Sequence, residues 1–401
     1  MAQESWVDLI VRATKDSESP ERYFWWSALA CLSATVRKNV YLDRFYYKLY
    51  PNVFVMLISA RSGLRKGVPI ALASSLLDAA GNTRVISGRN SIQGIVKEFS
   101  QQRTLENGIV LSEAQGILLS DEFASYVVDD SSALTILTGL HNTHEHEKGW
   151  KNTLKNSPVE ELKNPCICLL AASNETLFNS VVQSKDMEGG FLARTFIIYE
   201  SKRRHINSLM YRPEGMVSKS DLVAHLKEVA KIKGEFTLSA ATRKNYDEWY
   251  HALSKKEVND RTGSVERLGD QVLKVAMLVS VSNRLNLEIT LDDLDIAIEK
   301  SEECIAGIRQ VSTTEGKSES SGGIALVLKE LLVAPNHTAF RKNLLSKLWT
   351  HIDAISLDRV MDTLYQSGAI EAPFKDTKGR ICYKMLESVA VQYKEFQKDQ
   401  V

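Results

Sequence analysis

Apolar and polar residues follow two alternating patterns through the first half of the chain. Short apolar runs predict strands at 53–59, 84–86, 108–112, 116–120, 166–172 and 194–200, and segments with helical spacing lie between them at 68–80, 90–102, 131–141 and 175–182. Before them, residues 4–37 have a helical pattern and residues 38–49 alternate like a strand or hairpin. This order predicts an α/β fold whose ligand chemistry lies at the strand ends.

The pattern becomes helical after residue 215 and then changes again. Helices are predicted at 218–232, 240–257, 264–285 and 291–310, followed by a Ser/Gly-rich linker at 312–323. Three further helices, at 324–333, 338–349 and 354–367, precede a two-stranded wing at 369–374 and 380–385. Three helices and a β-wing predict a winged-helix domain, which is a relative of the helix-turn-helix.

These patterns divide the chain into five parts. The predicted parts are an N-terminal helical region and hairpin (1–50), a core (51–215), a helical lid (216–311), the linker (312–323) and a winged-helix-like domain (324–401). A length of 401 residues allows two or three domains, one of them with a large core.

Charge and cysteine content narrow the class of protein. Lys plus Arg and Asp plus Glu both number 50, so any binding of nucleic acid has to come from local patches. No apolar run reaches the ~20 residues that span a bilayer, and the first residues do not read as a secretory signal. Five scattered cysteines without a C-x-x-C pair indicate reduced thiols. We therefore expect a cytoplasmic protein with no membrane partner.

The stretch 51–70, PNVFVMLISARSGLRKGVPI, has the layout of a phosphate-binding loop: a strand, small residues, a lysine and a helix. Against the pattern G-x-x-x-x-G-K-[ST], Ala60 and Arg65 replace the glycines and Gly67 replaces the Mg²⁺-binding hydroxyl. Lys66 would neutralise the β- and γ-phosphates of ATP, with loop backbone and helix N-terminus around them. The candidate nucleotide-binding residues are Ser62, Gly63, Leu64, Arg65, Lys66 and Gly67. The alternative is a basic strand-to-helix turn without a ligand.

Two carboxylates follow the apolar strand GILLS at 116–120. At this position Asp121 would hold Mg²⁺, directly or through water, and Glu122 would polarise the water that attacks the γ-phosphate. The alternative is a solvated acidic helix cap, because Asp before a helix is common.

Polar residues end the next two strands. Ser173 and Asn174 follow CICLLAA, where Asn174 would sense the γ-phosphate or orient water, or where one of the two would cap the helix at 175–182. Arg194 would stabilise charge developing on the γ-phosphate, supplied by a neighbouring subunit, unless it forms an ordinary salt bridge. Arg203, Arg204 and Arg267 are further candidates for that role.

The ordered set YPNVFVMLISARSGLRKG, LLSDEFASYV, LLAASNETLF, GGFLARTFIIYE and RLGDQVLKVAMLVS resembles a family of phage- and plasmid-encoded P-loop ATPases. This family is primase- or helicase-like and related to superfamily-three and AAA+ replicative motors. The resemblance covers roughly residues 20–310. It implies an AAA+-like P-loop core and a hexameric ring that translocates on DNA. It assigns the phosphate-loop role to Lys66, the acidic pair to Asp121 and Glu122, the sensor to Asn174 and the arginine finger to Arg194.

Two further segments have candidate partners. The stretch HNTHEHEKGW contains His141, His144 and His146, which suit Zn²⁺ but lack a fourth ligand. The segment suits a DNA-contacting pore loop better, because it also carries an aromatic residue and cations: Lys148, Trp150, Lys151 and Lys155.

In the C-terminal unit, basic residues on the wing favour DNA, whereas Asp353, Asp358 and Asp362 oppose phosphate contact and favour a protein partner.

The leading interpretation is a DNA-dependent ATPase of the replicative helicase or helicase-accessory type. It would use ATP and Mg²⁺, form a homo-oligomeric ring in a prokaryotic cytoplasm, and work beside a primase or polymerase on single-stranded or forked DNA. Two alternatives stay open: a nucleotide-dependent scaffold or loader that hydrolyses slowly, and a DNA-binding regulator whose P-loop core is vestigial.

Overall fold

The computed structural model describes residues 4–60, 63–88, 90–105, 107–127, 130, 132–142, 149–152, 160–182, 190–208, 217–255, 263–312, 319–349 and 352–391. The chain forms two compact units, Met1–Val311 and Ser312–Val401. None of the described helices has the length and apolar character needed to cross a membrane.

The first unit combines helices and strands in the alternating order expected from the sequence. Its helices are α1 (Trp6–Ala13), α2 (Glu21–Val36), α3 (Gly67–Ala80), α4 (Ile92–Ser100), α5 (Ala124–Val127), α6 (Ala133–His141), α7 (Glu175–Val182), α8 (Lys219–Val229), α9 (Ala240–Lys255), α10 (Leu268–Asn283) and α11 (Leu291–Ser312). Its strands are β1 (Val40–Asp43), β2 (Lys48–Leu49), β3 (Phe54–Ser59), β4 (Arg84–Ser87), β5 (Arg103–Thr104), β6 (Val110–Leu111), β7 (Gln115–Ser120), β8 (Trp150–Asn152), β9 (Glu160–Leu162), β10 (Cys166–Asn174), β11 (Thr195–Glu200), β12 (Gly234–Glu235), β13 (Thr237–Leu238) and β14 (Glu288–Ile289).

Five of these strands form a parallel sheet in the order β11-β3-β10-β7-β4. Ser59 at the end of β3 pairs with both Asn174 and Glu200, so three strands end level with one another. After β3 the chain crosses to β4 at one edge of the sheet, and after β10 it crosses to β11 at the other. Ligands of open α/β sheets bind at the carboxyl ends of two neighbouring strands whose following connections run in opposite directions. Here those strands are β3 and β10, so the crevice lies between them.

Helices cover both faces of this sheet. Along β3, Val55 and Leu57 pack into a layer with α2, α3 and α10, whereas Phe54, Met56 and Ile58 pack into the opposite layer with α4 and α6. This explains why the strand reads as a continuous apolar run rather than an alternating one. Helix α2 is buried from Tyr23 to Val36 on every side, and residues of α8 to α11 share its core.

The first unit contains short elements that the sequence did not predict, among them α5 and the β8–β9 ribbon, and it also differs from two predicted elements. The strand predicted at 108–112 is shorter, as β6, and it pairs with β5 in a separate two-stranded ribbon. It does not join the buried central sheet, and residues 108–112 are largely exposed. The helical region 4–37 is two helices, since the polar turn at 14–20 separates α1 from α2. The hairpin predicted at 38–49 is confirmed as β1 and β2.

The second unit has a small core of its own. It contains α12 (Glu319–Val333), β15 (Thr338–Phe340), α13 (Arg341–Leu348), α14 (Ala354–Gln366), β16 (Phe374–Lys375) and β17 (Ile381–Lys384). The strands form an antiparallel sheet in the order β15-β17-β16, and Leu331, Leu357 and Tyr383 pack beneath it. The turn predicted between Asp376 and Gly379 is confirmed by a backbone hydrogen bond of 2.9 Å.

Three predictions about the second unit are wrong in detail. Residues 338–340 form a strand, not the start of a helix, so the sheet has three strands rather than two. The predicted linker is helical at Ser312 and at 319–323, where Gly323 is buried against Ile352 and Val360. Tertiary packing here overrides the low helix propensity of Ser and Gly. Residues 313–318 of that linker lie outside the described residues.

Candidate functional site

The loop after β3 leads directly into α3, as the phosphate-loop pattern predicts. Gly63 has φ of 112°, a conformation that side chains rarely adopt, and a Cβ there would lie 3.2 Å from a guanidinium nitrogen of Arg203. Leu64 is buried in the core and anchors the loop, whereas Arg65 is exposed with φ of 54°. Arg61 and Ser62 lie outside the described residues, so the prediction for Ser62 stays open.

Lys66 lies at the N-terminus of α3 and turns back toward the sheet. Its ammonium group donates a hydrogen bond of 2.5 Å to Oγ of Ser59, the last residue of β3. Partial burial lowers the pKa of Lys66, and the negative charge of Glu122 partly offsets this effect. The lysine and the acidic pair therefore lie at the same edge of the sheet.

Asp121 and Glu122 follow β7 directly and are both exposed. The turn that carries them is held against the sheet, since the N–H of Phe123 donates to the carbonyl of Ala172 at 2.8 Å. Although its side chain is exposed, partial desolvation raises the pKa of Glu122, the positive charge of Lys66 lowers it, and the neighbouring charge of Asp121 raises it. A carboxylate with a raised pKa is a better proton acceptor than an ordinary surface glutamate.

Asn174 ends β10, between the strand of the loop and the strand of the acidic pair. Its Oδ1 accepts a hydrogen bond of 2.8 Å from the N–H of Leu177, so the N-cap interpretation is confirmed. The neighbouring Ser173 is buried, and its hydroxyl has no hydrogen-bond partner within the part of the chain described. The sensor role of Asn174 stays a prediction.

Arg194 lies at the opposite edge of the sheet from Lys66. It precedes Thr195, which pairs with Phe54 at the amino end of β3. The guanidinium is buried and donates to Oδ1 of Asn142 and to the carbonyl of Gly190, both at 2.9 Å. The structure therefore does not bring Arg194 to the loop within one chain, and its role at a neighbour's nucleotide stays a prediction.

Glu18 is a residue of this site that the sequence analysis missed. Only 4% of it is exposed, and it forms ion pairs with Arg65 at 2.9 Å and with Arg203 at 3.1 Å. The hydrogen bond from Arg65 is the main reason that the pKa of Glu18 is lowered. Glu18 comes from the turn between α1 and α2, far from the loop in sequence, so no local motif could have identified it.

The residues at this edge fit a nucleotide with Mg²⁺. The set comprises an amine at the helix N-terminus and two exposed carboxylates. Carboxylate and hydroxyl oxygens are the ligands that Mg²⁺ prefers, although Gly67 contributes none.

Only part of the segment predicted to contact DNA or zinc lies among the described residues. His144, His146, Lys148 and Lys155 lie outside the described residues. Trp150 is half-buried against the core, Lys151 lies 3.8 Å from Glu161, and the ring of His141 is 3.4 Å from the ammonium of Lys274. Among the described residues, no group of three or more His, Cys, Asp or Glu is arranged to hold a metal.

No protein-family model matches the chain, and no curated protein is significantly similar to it.

Proposed function

We propose that this protein is a DNA-dependent ATPase of the replicative helicase or helicase-accessory type, with an AAA+-like P-loop core that acts in an oligomeric ring. The observation that carries the proposal is that Lys66 and Glu122 lie at the same carboxyl edge of the sheet, near enough for each charge to affect the pKa of the other, beside the crevice between β3 and β10. A basic turn without a ligand would not require an acidic pair at the same edge. The order of strands also puts polar Asn174 between the loop and the acids, as the family resemblance requires.

Each residue at this edge has a chemical task in the proposed reaction. Lys66 neutralises the β- and γ-phosphates of bound ATP, and Glu122, with its raised pKa, accepts hydrogen bonds from the attacking water and orients it. Mg²⁺, when bound, would supply positive charge to the phosphates, and Asp121 would hold it, directly or through water. Arg203, beside Gly63, and Arg65 share the single carboxylate of Glu18, so this pair of arginines leaves the loop one further positive charge besides Lys66.

One observation favours a second candidate, a nucleotide-dependent assembly scaffold. Gly67 supplies no hydroxyl to Mg²⁺, so nucleotide can bind through Lys66 while hydrolysis stays slow. A scaffold would form oligomers on binding ATP and turn it over little.

The hairpin of β1 and β2 supports a nucleic-acid partner. Phe45 and Tyr46 at its tip are 86% and 90% exposed, and their rings pack edge to face with centroids 4.8 Å apart. Arg44 and Lys48 flank the pair. Exposed aromatic rings between cations suit the stacked bases and phosphates of a single strand.

We propose that the second unit is a winged-helix domain that contacts protein rather than DNA. Arg341 donates two hydrogen bonds of 2.8 Å to the carboxylate of Asp358, and Arg380 lies 2.6 Å from Asp376. Cations neutralised in this way offer little to a phosphate backbone.

Phosphate release with and without single-stranded DNA tests the proposed function. We expect DNA to stimulate release, and both Lys66→Ala and Glu122→Gln to abolish it, with Glu122→Gln still binding ATP. The double variant Phe45→Ala/Tyr46→Ala should keep basal release but lose the stimulation, whereas Leu285→Ala, an exposed apolar control, should behave as wild type. Turnover that persists without Lys66, or protein that does not bind ATP, would contradict the proposal. Nucleotide-dependent oligomers with little turnover would favour the scaffold.

A further inference from the structure

A cavity of about 280 Å³ lies at the amino edge of the sheet. The hairpin of β1 and β2, the end of α6, the turn before β11 and the first turns of α10 enclose it. We call it the amino-edge cavity; its defining residues are Arg44, Asn142, Arg194, Arg267, Gln271 and Lys274.

The described lining of this cavity is rich in positive charge. It holds Arg44, Arg194, Arg267 and Lys274, against the carboxylates of Glu266 and Asp270. Asp270 is already engaged, because it accepts a hydrogen bond of 2.7 Å from Tyr47 and lies 4.0 Å from Arg44. The positive end of α10 faces the same space, and Arg267 at its N-cap makes no side-chain capping bond.

Lys274 is a costly group to bury. It is 5% exposed, and its ammonium donates to the carbonyl and to Oδ1 of Asn52, at 3.1 and 2.9 Å. Both acceptors are neutral, so they satisfy its hydrogen bonds without neutralising its charge. A buried cation of this kind gains most from an anion in the adjoining cavity.

Gln271 indicates which kind of anion fits. Its Nε2 donates to the carbonyl of Arg194 at 2.9 Å, and because that carbonyl can only accept, the orientation of the amide is determined. The other atom of the amide, Oε1, is buried on a side chain that is 6% exposed, and it finds no partner among the described residues. A buried acceptor left without a donor is unfavourable by about 1–3 kcal/mol, so a ligand that brings an O–H or N–H group to this side chain is favoured.

We propose that the amino-edge cavity binds a small phosphate ester that also carries a hydrogen-bond donor, at a site distinct from the ATP site around Lys66. Phosphate suits the lining better than carboxylate, because a tetrahedral anion accepts hydrogen bonds from several directions and this lining carries four cations against two carboxylates. The donor satisfies Oε1 of Gln271. The site lies across the sheet from the loop, so the two can be occupied together.

Titration with inorganic phosphate and with sulfate distinguishes the attraction of the positive lining for any anion from the preference of Gln271 for a hydrogen-bond donor. The anions have the same shape, but at neutral pH phosphate retains an O–H group and sulfate does not. Calorimetric titration of the full chain in a Lys66→Ala background removes the contribution of the nucleotide loop. We expect phosphate to bind this variant about tenfold more tightly than sulfate, as one satisfied hydrogen bond implies.

Substitutions then locate the binding. In the same background, Arg267→Gln and Gln271→Glu should each weaken phosphate binding by about tenfold or more, whereas Arg12→Gln, an exposed arginine on α1, should not change it. Arg267 is exposed, so its replacement leaves the core intact if Gln271→Glu does not fold. Absence of binding, loss of binding with Lys66, or indifference to Arg267→Gln would overturn the proposal. Equal affinity for sulfate would overturn the assignment of Gln271.

Discussion

At the scale of single residues, Gly67 is where the loop departs most from a hydrolytic site. A Cβ at this position would meet no atom within 4 Å, and its φ is not in the left-handed region. A side chain therefore fits there, at the first residue of α3.

We predict that Gly67→Ser raises Mg²⁺-dependent ATP hydrolysis. The added hydroxyl supplies a metal ligand at the position where the loop lacks one, which we expect to be worth about tenfold or more in rate. Steady-state phosphate release at several Mg²⁺ concentrations measures the effect. Gly67→Ala is the matched control, because it changes the backbone in the same way without the hydroxyl. If serine and alanine behave alike, position 67 is not near the metal.

Because Lys274 is buried, we predict that the stability of the folded protein depends on pH. Burial lowers its pKa in the folded protein to about 8, from 10.5 for an unperturbed lysine. Between these values the unfolded state binds more protons than the folded state, so stability rises with pH. Below pH 8 the buried charge of Lys274 lowers the free energy of unfolding by its full amount, about 3 kcal/mol.

Comparison with Lys274→Met isolates this effect from other titrating groups. Denaturant unfolding between pH 7 and 10 should show wild type gaining stability relative to Lys274→Met as pH rises. Parallel curves for the two proteins would mean that Lys274 keeps an ordinary pKa.

At the scale of elements, the packing of α11 on the sheet depends on one glycine. A Cβ on Gly307 would lie 2.7 Å from the carbonyl oxygen of Ile197 in β11. Real Cβ atoms do not approach backbone oxygen so closely, so helix and strand would have to separate.

We predict that Gly307→Ala destabilises the first unit, by about 1–3 kcal/mol, although alanine favours helix. The matched control is Gly139→Ala in α6, where the nearest contact is an ordinary 3.7 Å to Trp150, so stability should rise by up to about 1 kcal/mol. Thermal unfolding of both variants measures the difference. The same sign of change in both would contradict the close approach of α11 to β11.

At the scale of the whole molecule, the two units have separate hydrophobic cores. One joins the sheet to α2, α3 and α8–α11. The other lies within residues 323–390.

We predict that a fragment of residues 1–312, which keeps α11 whole, folds and binds ATP through Lys66 as the full chain does. Circular dichroism and calorimetric titration with ATP check this, and Lys66→Ala in the fragment is the control. A fragment that is unfolded, or that has lost ATP binding, would show that the second unit is needed for the nucleotide site.

Local sequence patterns were sufficient for the main elements of the fold and for three residues of the candidate site. Buried parallel strands are continuous apolar runs. Lys66 follows one of them after a short loop, and Asp121 and Glu122 follow another directly, so a short window contains the relevant information. The same windows could not separate short edge ribbons from sheet strands. They also could not show that the Ser/Gly-rich segment at 319–323 is helical, because tertiary contacts decide both.

Only the tertiary structure decided which distant residues meet. The packing of the helices brings Glu18, in the turn between α1 and α2, to Arg203 and the loop, whereas the order of the strands leaves Arg194 at the opposite edge, beside Gln271 and Lys274. Each of these contacts joins residues far apart in sequence, and such pairing depends on the crossover of every connection rather than on local preference. The chain thus encodes its elements locally, whereas the amino-edge cavity and the ion pairs of Glu18 at the loop arise from how those elements pack.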